Sequence, residues 1–135
     1  MWKVFAVLYS LLVAFGMVFV GYLIATGALS RLTPVGWATV YTSFFMVLGT
    51  TIGLVAYAFN VNVPPIALWR PFSWLAGAWA LYASYTTFAK VLSVVAGSSG
   101  DAIITNILWL SFALAVNYFS WLGVWRYGRR VSAAA

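Results

Sequence analysis

From Val4 to Ala25 the chain runs for more than twenty residues without a charge, and three further apolar runs of similar length follow. An α-helix rises ~1.5 Å per residue, so about 20 apolar residues cross a hydrocarbon core ~30 Å thick. Within lipid each backbone N–H and C=O needs a partner inside the protein, and a run this long meets that need as a helix. The runs at about 4–25, 34–59, 71–96 and 102–125 therefore predict an all-α integral membrane bundle of four transmembrane helices, one domain over residues 1–135. Composition agrees: 65% of the 135 residues are hydrophobic and 6% charged, with a mean hydropathy of +1.02. A soluble domain of this size could not cover so much apolar surface.

The first run could be mistaken for a secretory signal, with Lys3 before it and Ala25 to Gly27 resembling a cleavage site. Signal cores are only ~7–15 residues long, so the run reads as a retained first helix.

The third run carries the clearest packing signal. Ser73, Gly77, Ala80, Ser84 and Thr87 fall at alternating steps of four and three, flanked by Trp74, Trp79, Tyr82, Tyr85 and Phe88. Helices in lipid associate through close backbone approach and hydrogen bonds, which small residues on one face allow. The run is expected to be the central helix, with the other three around it. The second run repeats the theme with Thr39, Thr42, Met46, Gly49 and Gly53 on one stripe. In the fourth, Asn106, Ala113, Asn117 and Ser120 share a face.

Local signals mark the ends. Thr33 before Pro34 offers a capping hydroxyl and a first-turn proline. Residues 60–70, NVNVPPIALWR, break the helix with two asparagines and Pro64-Pro65. Their Ile66, Leu68 and Trp69 suit a segment lying in the headgroup layer. A turn is expected at Gly97 to Gly100. Asp101, the lone acid, suits the start of the fourth helix, where a carboxylate meets free N–H groups. Trp121, Trp125 and Tyr127 read as an interfacial aromatic belt, and residues 131–135 as a disordered tail.

With four crossings, Lys3, Arg70, Arg126, Arg129 and Arg130 share one side, and Arg31 and Lys90 the other. The basic side faces the cytoplasm, so both termini are expected there, in a multi-pass protein of a bacterial inner membrane. The net charge of +6 is scattered over helix ends and forms no face for nucleic acid. Attraction to anionic headgroups of the lipid bilayer accounts for it.

The residue inventory narrows the chemistry. The chain has no histidine and no cysteine, which removes the usual ligands of haem, zinc, copper and iron–sulfur clusters and rules out a disulfide. One aspartate makes no acid–base pair, and no serine has a histidine to activate it. An enzyme is not expected, nor a metal or covalent cofactor. Lys90 is the most telling residue: counted from Pro71 it lies ~28 Å along the third helix, near the edge of the core. It can snorkel outward, pair with Asp101, or touch a partner subunit or the headgroup of a lipid or quinone.

These features predict a non-catalytic accessory subunit of a larger membrane complex, respiratory or photosynthetic, which packs against other integral membrane subunits and against lipid or a hydrophobic cofactor such as a quinone. Gly49, Gly53, Ser73, Gly77, Ser84, Thr87, Asn106 and Asn117 are the expected helix-packing residues, and Lys90 and Asp101 the candidate partner or headgroup contacts. The alternative is a small transporter or channel with a polar route near Lys90, Thr87 and Asn106.

Overall fold

A computed structural model describes residues 1–96 and 100–133, without the side chains of Asp101 and Ser132. It consists of four α-helices: α1 (Trp2–Ala25), α2 (Pro34–Phe59), α3 (Trp69–Val95) and α4 (Gly100–Ala133). A single 3-10 turn, Ile66–Leu68, precedes α3. Three of the helices are long and apolar enough to cross a membrane: α1, α2 and the Ala102–Val131 part of α4. At 27 residues α3 has the length, but its hydroxyls and two cations leave it short of the same apolarity.

The ends of α2 are set by local chemistry. The Thr33 hydroxyl accepts a hydrogen bond from the Gly36 N–H at 3.2 Å, with Pro34 in the first turn. At the other end Asn60 takes a left-handed conformation, φ 59°, which asparagine tolerates better than most residues. The Val61 N–H then closes back on the Ala56 carbonyl at 3.0 Å.

The centre of the bundle is α4. It packs along α3 and α2, while α1 lies mainly against α2, and α2 and α3 scarcely meet. This corrects the expectation that α3 is central. Small residues on α4 explain the difference. A Cβ added at Gly123 would collide with Leu54 of α2, and one at Gly128 would stand 2.9 Å from the Trp69 carbonyl oxygen of α3. So α4 is entered from two sides, whereas the α3 stripe serves one neighbour.

Packing is tight at the end of the bundle that holds both termini. Trp69, Ala56, Tyr127 and Val131 form a buried cluster, with Tyr57, Val63 and Phe72 against it. The backbone of Val63 is held from two helices. Its N–H donates to the Tyr127 hydroxyl and its carbonyl accepts from the Trp69 indole, both at 2.7 Å. Tyr127 is fully buried, so it is a core residue and not part of an aromatic belt. The cause is residues 60–68, which fold over the end of α4. The same cover keeps α4 helical beyond the expected end near residue 125. Val131 is buried and the helix continues to Ala133, where the sequence suggests a disordered tail. The expected turn at Gly97 to Gly100 lies mostly outside the described residues, as do residues 134–135.

Arg130 completes this end. Its guanidinium donates to the Asn60 side-chain oxygen at 2.5 Å and to the Ala56 and Val61 carbonyls at 3.4 and 3.5 Å. A cation here answers the negative end of the α2 dipole. Arg126 lies 5.3 Å from the Trp2 ring centroid, and Lys3 5.9 Å from that of Phe59. Lys3, Arg126 and Arg130 thus collect at the packed end.

Candidate functional site

The opposite half of the bundle is open. Because α2 and α3 diverge from a shared contact with α4, a cleft of about 510 Å³ remains between them. Its mouth carries Thr39 and Lys90, both exposed; its floor is Met46, Thr50, Ala76 and Ser120, all buried. From Thr39 to Thr50 the α2 wall descends about 16 Å. Below the floor the bundle closes. A Cβ at Gly53 would stand 2.9 Å from Trp69 and 3.2 Å from Val124, and level with the floor, on another face of α2, one at Gly49 would run into the Phe72 ring. The cleft is therefore closed toward the end that holds the termini and open toward the other.

Its walls are polar for an interior between apolar helices. Thr39, Ser43 and Thr50 project from α2, Thr86 and Lys90 from α3, and Asn117 and Ser120 from α4. Tyr9 reaches in from α1 toward Ser120. Most wall hydroxyls donate along their own helix: Thr39 to the Val35 carbonyl at 2.9 Å, Ser43 to that of Thr39 at 2.8 Å, Thr86 to that of Ala83 at 3.0 Å. Thr50, 9% exposed, has no hydrogen-bond partner among the described residues. Trp79 and Trp121 supply aromatic surface.

The sequence-predicted residues divide into groups. Lys90 and Asn117 line the cleft. Gly53 lies beneath it against Trp69 and Val124, and Gly49 faces Phe72 on another side of α2. Ser73 is buried, its hydroxyl bonded to the Arg70 carbonyl at 2.7 Å and its own carbonyl accepting from the Trp121 indole at 3.2 Å. Gly77 faces that same indole, which a Cβ would approach to 2.7 Å. Ser84 accepts a long hydrogen bond, 3.4 Å, from the Asn117 amide. Thr87 and Asn106 stand apart from the cleft, each bonded to a carbonyl of its own helix, Ala83 and Ala102. The polar route of Lys90, Thr87 and Asn106 is thus not assembled; Thr86 takes the place given to Thr87. Asp101 falls in the first turn of α4, and its side chain, with any pairing to Lys90, lies outside the described residues.

Sequence reasoning missed Tyr9, Ser43 and Thr50. For the α2 pair a signal exists, since Thr39, Ser43, Met46 and Thr50 repeat at steps of four, three and four on one helical face. No family model matches the chain, and neither a curated protein nor a solved structure shows significant similarity to it.

Proposed function

We propose that the chain is a non-catalytic subunit of a larger membrane assembly, and that it holds a small ligand or lipid headgroup in the recess between α2, α3 and α4. The recess carries this reading. A hydroxyl-lined pocket closed at one end, in an otherwise apolar bundle, suits retention of a guest better than passage through the membrane. The absence of histidine and cysteine and the single acid leave little with which to move electrons or protons.

In this reading the chain crosses a bacterial inner membrane four times with cytoplasmic termini. The cationic, packed end faces the cytoplasm, in keeping with the bias of Lys and Arg, and the mouth faces the other side. α3 crosses with the rest. Its Trp74, Leu81, Tyr85 and Phe88 are exposed, as a lipid-facing surface requires, while its small and hydroxyl residues turn to α4 and the recess. The competing reading, a small transporter, draws on Lys90 at the mouth, because membrane cations often mark substrate paths.

Two measurements separate them. Solubilised gently from its native membrane, the protein is expected to migrate with a much larger complex that weakens when the chain is deleted. Purified into liposomes, it is expected to move no solute above background. Robust flux from a protein that migrates alone, abolished by Lys90→Met, would establish the transporter instead.

A further inference from the structure

We infer that the recess binds a neutral polyhydroxyl group, a sugar or polyol; this rests on the reading of the recess as a ligand site. The inference starts from hydrogen-bond capacity. A hydroxyl has one proton and two lone pairs. Thr39, Ser43 and Thr86 spend their protons on carbonyls of their own helices, so they offer a guest only acceptors. A guest that meets them must bring its own protons.

Carboxylates and fully ionised phosphates bring none and would leave these three hydroxyls without a donor. Ammonium groups bring protons, but among the described residues no acid lines the recess and Lys90 stands at its mouth, so a cation meets a like charge there. Each hydroxyl of a sugar both donates and accepts, which satisfies the walls and gives Lys90 an oxygen to donate to.

Thr50 is a second, independent observation. It is 9% exposed, lines the floor, and its hydroxyl has no partner among the described residues. The hydroxyl is open to the cleft, since no buried side-chain nitrogen or oxygen among the described residues is left unpaired. Thr50 is thus free to donate to a guest at the floor. Trp79 and Trp121 also line the recess, and an aromatic ring face, with its negative quadrupole, attracts the polarised C–H bonds of a sugar ring. The volume, about 510 Å³, falls in the range of ~300–1,000 Å³ typical of small-molecule sites.

The sugar could be a free solute or the headgroup of a glycolipid, and the test separates them. The full chain is purified without sugar-based detergent into phosphatidylcholine nanodiscs. Tryptophan fluorescence is then followed on titration with glucose, maltose or glycerol, and in nanodiscs carrying increasing glucosyl-diacylglycerol. A saturable response is expected to at least one of these, and its form names the source. Thr50→Val should weaken it about tenfold, as loss of one buried hydrogen bond implies. Thr50→Ser should retain it, and the melting temperatures of both should match the parent. Absence of saturation with every sugar and polyol probe overturns the inference, as does full-strength binding by Thr50→Val. Saturable binding of acetate or phosphate that is lost in Lys90→Met, with no response to sugars, overturns it too, yet leaves the recess standing as a ligand site.

Discussion

Gly77 stands where a methyl group has no room. A Cβ there would lie 2.7 Å from the Trp121 indole nitrogen, which in turn holds the Ser73 carbonyl at 3.2 Å. Gly77→Ala is expected to displace the indole and lower stability by about 1–3 kcal/mol, the usual cost of overpacking. Ala78, one position on, is exposed, and Ala78→Leu should change stability by no more than ~0.5 kcal/mol. Thermal melting in detergent compares them, and equal losses would mean that the α3 stripe is not a contact face. This requirement was readable in the chain, because helical spacing sets Gly77 among small neighbours without regard to partners. The role of Thr50 was not. Whether a threonine on a helix finds a partner or faces a void depends on how far the next helix diverges, and no local pattern records that.

At the scale of elements, legibility follows the range of the forces. Thr33 with Pro34 and the break at Asn60 act within a few residues, and both were plain in the sequence. Burial of Tyr127 and Val131 depends on residues 60–68 folding back over a helix some sixty positions later, and the sequence alone suggested a belt and a tail. The central place of α4 was hidden for a related reason. Gly123 and Gly128 lie amid large aromatics, and only the approach of Leu54 and Trp69 shows what they admit. The returning segment has its own test. Tyr127→Phe removes the acceptor of the Val63 N–H and leaves a part-buried donor unpaired, so a loss of about 1–3 kcal/mol is expected. Protease cleavage within residues 60–68 should rise with it. Unchanged melting and cleavage would mean that the hydroxyl contributes nothing to holding the segment.

The whole molecule is asymmetric along its axis. One end is packed with aromatics and surrounded by cations; the other opens into a polar recess. Length and hydropathy revealed four helices, and the distribution of Lys and Arg revealed two unlike ends. The recess was only half legible, since Lys90 and Asn117 stood out while the facing wall of α2 did not. The central claim is that water reaches into the bundle from the side opposite the termini. Because the chain has no cysteine, single cysteines report on this directly. In intact cells Ser43→Cys, on the recess wall, should react with a membrane-impermeant thiol reagent added outside, and a saturating sugar that binds should slow the reaction. Phe45→Cys, two residues on and facing away from the recess, should stay unlabelled. Labelling of Ser43→Cys only after the cytoplasmic face is exposed, or no labelling from either side, would contradict the account.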